Sequence, residues 1–143
     1  GIQSQEPIFV REEIKFGLEK EKLVPYYYIV PFGFVYETGK CGTPLTRVSV
    51  IVNAYTAEFE EVTAFGEPVR YLPQQEAISI VASALKLDKD ELKDVKASVL
   101  FRPSDITHIR TYPFWQVTIG KRILYVDQLG NLYRQIKPAV PGD

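Results

Sequence analysis

The chain has 143 residues, 17 Lys and Arg against 18 Asp and Glu, and a formal net charge of −1 at pH 7, a balance without basic runs that excludes the electropositive field needed to draw nucleic acid or anionic lipid. Its length suffices to take roughly 68% of the unfolded surface out of water with no metal or disulfide to help. A single Cys41 excludes an internal disulfide, and no apolar run approaches the ~20 residues that a membrane-crossing helix needs.

With no methionine anywhere, the sequence is expected to be a processed or excised piece of a longer chain. Its polar opening Ile2-Gln-Ser-Gln-Glu-Pro7 and its Pro-rich tail from Lys137 to Asp143 are expected to fray. Between them, Ile8, Val10, Ile14 and Phe16 share one parity and predict a strand over 8–18, with a helix over 11–23 as the alternative. Residues 26–35 are apolar on both parities, as in a central strand covered on both faces. Gly39, Gly42 and Pro44 make 37–46 a loop. Val48, Val50 and Val52 then place a strand over 47–53, and after the turn Ala54-Tyr-Thr-Ala57 a further strand runs over 58–65. The apolar face of this first sheet, including Tyr28, Val30 and Val50, requires a cover. The helix that follows, the second sheet or another protein chain would supply it.

That helix is predicted over 74–87, where Ile78, Val81, Ala82 and Leu85 fall at helical spacing and Pro73 suits the first turn. Asp88 and Glu91 have the spacing of a capping box for a short turn over 89–93. Val95, Ala97, Val99 and Phe101 alternate with polar residues and predict a strand. After the connection 103–112, a strand over 114–119 sets Trp115, Val117 and Ile119 against Phe114, Gln116 and Thr118. Gly120-Lys121 reverses the chain into a strand over 122–126, and Asp127-Gln-Leu-Gly130 turns it into a last strand over 131–136.

A pattern occurs twice. Pro25-Tyr-Tyr-Tyr-Ile-Val-Pro31 followed by Val48 to Phe59 parallels Pro113-Phe-Trp-Gln-Val-Thr-Ile119 followed by Ile123 to Leu132, each an aromatic-led strand and then a strand ending in Val-Asn or Val-Asp. The helix starting Gln74-Gln-Glu76-Ala77, the hairpin after it and Val126-Asp127-Gln-Leu-Gly130 resemble the PepSY family. Val52-Asn-Ala-Tyr-Thr-Ala57-Glu-Phe59 is similar to that family's Val-Asp-Ala-x-Thr-Gly-x-Val ending, with Ala57 where Gly is usual. The resemblance covers 71–136 well and 8–65 less well. It implies an α+β fold of antiparallel curved sheets with a packed helix, in two tandem PepSY-like, cystatin-like lobes at 1–70 and 71–143, the first without its helix. It also implies a non-catalytic extracytoplasmic module, periplasmic, cell-surface or secreted, that binds protein or peptide in a regulatory role, with a peptidase as one partner and a membrane-anchored parent as one setting. The alternative is a small-ligand sensor domain of an envelope protein, with its pocket between helix and sheet.

Candidate chemistry is sparse, and no catalytic residue, cofactor or metal is expected. Cys41 and His108 are the one conceivable nucleophile and base pair, but Cys41 sits in a Gly-rich loop with no helix start to depress its pKa. One His with scattered carboxylates is too few ligands for zinc. Gly39-Lys-Cys-Gly-Thr43 lacks the spacing of a phosphate loop and reads as a turn. Glu58, Glu60 and Glu61 read as a solvated sheet edge, and Asn53 and Asp127 as turn formers capping backbone amides. Aromatic residues on the strands are core by default. Tyr27, Phe114 and Tyr133 on the less apolar parity, with Gln116 from the cystatin-like Gln116-Val-Thr-Ile-Gly120, are the candidates for a face or edge that accepts a partner by strand addition.

Overall fold

Strand β3 organises the first part of the chain because it holds β-branched and aromatic residues on both parities, so that sheet pairing is favoured along either edge. In the computed structural model, which describes residues 1–14 and 22–137, the chain divides into two units, Gly1–Tyr71 and Leu72–Asp143. The first contains β1 (Ile2–Ser4), β2 (Ile8–Ile14), β3 (Lys22–Phe34), β4 (Thr46–Asn53) and β5 (Phe59–Val69). Its β1–β3, β2–β3, β3–β4 and β4–β5 pairings are antiparallel, and β2, β3, β4 and β5 lie side by side in chain order. Of the strand expected over 8–18, the part from 15 onward lies outside the described residues, as do most of the alternative helix over 11–23 and the tail from 138.

The two prolines of β3 sit where a missing N–H costs least. Pairing runs from Val10↔Tyr27 to Arg11↔Pro25, so Tyr26 is bulged and Pro25 lies at the irregularity. Pro31 faces the break between β1 and β2, its carbonyl accepting from the Gln5 amide at 2.8 Å. The opening expected to fray is instead strand β1, with Ile2 opposite Phe34 and Ser4 opposite Phe32. Gln5 fastens it: its Nε2 donates to the Leu45 carbonyl at 2.9 Å, and its Oε1 accepts from the Thr46 hydroxyl at 3.0 Å. Gly33 makes room for this lock, since a Cβ there would run into the Leu45 carbonyl and the Gln5 amide.

The second unit contains α1 (Gln74–Leu85), β6 (Lys96–Leu100), β7 (Phe114–Ile119), β8 (Arg122–Val126) and β9 (Leu132–Tyr133). β6 to β9 form an antiparallel meander. Gly120 at φ +60° opens the two-residue β7–β8 turn, as a type II′ hairpin requires. Pro73 is the N-cap of α1, one position before the first turn expected for it. The helix ends in a Schellman motif: Leu87 N–H donates to Ala82 at 2.9 Å, and Lys86 takes the left-handed conformation at φ 54°. Asp88 and Glu91 form the expected reciprocal capping pair, at 2.9 and 3.4 Å.

The helix buries a stripe that shares Val81 and Leu85 with the one expected but centres on Ala77. Ala77 and Val81 are fully buried and pack with Leu72, Val117, Leu124 and Val126, while Ile80, Leu85, Trp115 and Leu132 close the cluster. Ile78 is only half-buried. Placing Ala77 innermost turns the helix by about one residue, or 100°, and its small side chain allows close approach to β7 and β8.

The expected α+β class, antiparallel curved sheets with a packed helix in two tandem PepSY-like lobes of which the first lacks its helix, is overturned. Among the described residues strand predominates, with nine strands against a single α-helix of 12 residues, and that helix belongs to the second unit. Among the described residues, the first unit contains no α-helix. Its strands reach 13 and 11 residues and form the unit without one.

Candidate functional site

The four candidate partner-binding residues fall in different environments. Tyr27 is fully buried, Phe114 is 1% exposed and Gln116 8% exposed. Phe114 packs edge-on against Tyr125 with ring centres 5.8 Å apart, and Gln116 lies opposite Ser98 and Tyr125 in mid-sheet. These three have no surface to offer: in β3 the parity of Tyr27 is the buried one, and in β7 both parities are covered, Val117 in the cluster under α1 and Phe114 and Gln116 on the other side. The cystatin-like string therefore starts inside the sheet and not on a protruding hairpin.

Tyr133 is half-buried, and its hydroxyl donates to Asp127 Oδ2 at 2.9 Å. Burial, and then this bond to a carboxylate, push the Tyr133 hydroxyl above its ordinary pKa. Asp127 also accepts from Leu129 and Asn131 amides at 3.0 and 2.9 Å and from the Asn131 side chain at 3.0 Å. In the first unit, Asn53 Oδ1 accepts from the Tyr55 and Thr56 amides at 2.9 and 3.0 Å. Both residues are thus the turn formers expected. Each turn then carries a residue at positive φ, Ala57 at 60° and Gly130 at 87°.

The surface that stands out is the other face of the first sheet. Burial alternates along β3: Tyr27, Ile29, Pro31 and Gly33 are buried, and Tyr28, Val30, Phe32 and Phe34 are not. The strand registers carry that alternation sideways into three rows. Phe9, Tyr28, Val52 and Phe59 form one row; Val30, Val50 and Val62 the next; Phe32, Val48 and Ala64 the third. None of these side chains is charged. Tyr28 is 38% exposed, Val62 53% and Phe59 63%. Phe9 and Tyr28 stack with ring centres 5.0 Å apart, and the Arg11 guanidinium sits 5.1 Å from the Phe9 centre at the border. Contiguous apolar surface of this kind marks interaction sites on soluble proteins.

The face is flanked by a bulge and charged residues on its edge strand and by a polar loop. Glu60 is the extra residue where pairing passes from Ile51↔Glu61 to Val52↔Phe59, so the bulge and the glutamates lie on edge strand β5. Charge and a bulge on an edge strand hinder pairing with another chain's strand. The loop after β3 is a structured hairpin, not a phosphate cradle: Gly39 and Thr43 bond across it at 2.7 Å, with Lys40–Gly42 as a 3₁₀ turn. At its base Arg47 forks onto Glu37 at 2.9 and 2.7 Å, which holds the Glu37 carboxyl below the usual carboxylate range.

The other chemical candidates carry less. Cys41 lies exposed in the first unit and His108 exposed in the second. Among the described residues no group of three or more His, Cys, Asp or Glu is placed to hold a metal. The space between α1 and its sheet, where a ligand pocket was the alternative, is filled by Val81, Val117, Leu124 and Val126. A shallow groove of about 200 Å³ beside β1, lined by residues such as Gln3, Gln5, Phe34 and Pro44, holds no charged side chain. Among the described residues no helix is long and apolar enough to cross a membrane.

Sequence reading named Tyr28, Val30 and Val50 as a face in need of cover but did not place them in the site. The missing signal was which parity of a doubly apolar strand is the covered one. No family model matches the chain, and neither a curated protein nor a solved structure shows significant similarity to it.

Proposed function

We propose that this chain is a non-catalytic protein-binding module that presents the open face of its first unit to a protein partner. The observation that carries this reading is the uncharged apolar surface spread over β2 to β5, with Phe59 and Val62 more than half exposed. Leaving such surface in water forgoes about 25 cal/mol for each Å² that a partner would bury. A regulatory role outside the cytoplasm is the setting that the PepSY-like strings favour, with restraint of a peptidase as one form of it.

The test compares the intact chain with Val62→Glu, both immobilised and exposed to the same envelope extract. A protein retained by the intact chain and lost by the variant is the expected result. Equal recovery by both contradicts the reading, as does recovery by neither when the intact chain also fails to bind a second copy of itself.

A further inference from the structure

We infer that the occupant of the open face is a second copy of this chain, packed sheet against sheet about a two-fold axis. This rests on the reading of that face as a docking surface. Three observations favour a copy over an unrelated chain.

The first is charge. An isologous contact sets each patch against itself, so any charge near the axis meets its own like. The rows from Tyr28 to Val62 contain none. The glutamates of β5 that follow Phe59 lie at the bulge or on the opposite parity. The net charge of −1 also leaves little long-range repulsion between copies.

The second is shape. Half of the row residues are valines, set in an unbroken β3–β4 register from Tyr28↔Val52 to Phe32↔Val48, with an aromatic stack at one end and the β5 bulge at the border. Two such faces interdigitate at the ~10 Å spacing of stacked sheets, with strand directions within about 30° of each other. A docked helix asks instead for a groove.

The third is area. Ten side chains, each covering about 4.8 Å by 6.8 Å of one sheet face, give roughly 330 Å² in projection. Side-chain relief raises the accessible area toward the ~600 Å² per partner at the low end of a stable interface. A short peptide would leave much of this surface wet.

The experiment is sedimentation velocity on the full chain across micromolar concentrations, with Val62→Glu and Leu129→Glu alongside. Leu129 is 88% exposed and belongs to the second unit, so it serves as the control for adding charge at an exposed apolar site. The intact chain and Leu129→Glu are expected to sediment as dimers. Val62→Glu is expected to dissociate with a constant raised roughly 100-fold or more, as like charges meet in a dry contact. A thermal melt checks that Val62→Glu folds. If it does not, Val50→Thr with Val62→Thr keeps the strand shape while adding two hydroxyls, and roughly 10-fold weakening is expected. A monomeric intact chain overturns self-pairing, while the extract experiment still decides whether the face binds another protein. A Val62→Glu dimer as tight as the parent overturns it too, by placing the contact elsewhere.

Discussion

Single residues reveal where this chain tolerates strain. Ala57 occupies the left-handed region at φ 60°, where its counterpart in the second turn is Gly130. A non-glycine residue there costs about 1–2 kcal/mol, partly offset by its smaller loss of backbone freedom on folding. Ala57→Gly is therefore expected to stabilise the protein by about 0.5–1 kcal/mol, read as a higher urea midpoint at unchanged slope. The turn chemistry was legible: Asn53 and Asp127 each bond amides two residues on, as their side chains dictate. The Glu37–Arg47 fork was not, because nothing in the spacing of these two residues shows that a hairpin will bring them together. Its bond to Arg47 lowers the Glu37 pKa in the folded state, so the stability it adds is present above the ordinary value of 4.5 and is lost as pH falls through the lowered one. Melting temperatures of the parent and Glu37→Gln are expected to converge as the pH drops below about that value and to separate above it, by a modest amount for so exposed a pair.

At the level of elements, α1 was legible from its periodicity but its facing was not. Four apolar positions at 78, 81, 82 and 85 outweigh Ala77 in a hydrophobicity count, yet close packing selects the small residue for the innermost place. The start of α1 also depends on a residue that reads as mere turn filler. Gln128 accepts from the Leu72 amide and donates to the Pro113 carbonyl, both at 2.7 Å, and Trp115 donates to the Leu72 carbonyl at 2.8 Å. Leu72, 5% exposed, thus has both its backbone groups satisfied by side chains from the sheet region. Gln128→Ala leaves an amide and a carbonyl unpaired and is expected to cost about 2 kcal/mol in urea unfolding. A loss under ~0.5 kcal/mol would mean that water replaces the bracket readily. Strand β1 escaped prediction for a related reason: it is short and polar, and Gln5 holds it through contacts to Leu45 and Thr46 that lie far off in sequence.

For the whole molecule, the strands were legible and the class was not. Alternation and turn residues locate β4 and β6 to β8 well, while β9 is two residues long where 131–136 was expected, and they do not say how much helix accompanies the sheet. Nor do they say which side of β3 faces water, since Tyr27 and Ile29 are as apolar as Tyr28 and Val30. The bulges at Tyr26 and Glu60 add to this by shifting register inside strands that read as continuous. Tyr27, singled out for binding, is consequently the buried neighbour of the exposed Tyr28. The central claim is that the face bearing Val30, Val48, Val50, Val52 and Val62 is covered by protein when the molecule works. Its most direct test is methyl NMR of valine-labelled chain, followed on raising its own concentration and then on adding any protein recovered from extract. Shifts confined to those five valines, with Val81, Val117 and Val126 of the second unit unmoved, are the predicted result. Unchanged spectra throughout, or shifts centred on other valines, would contradict it.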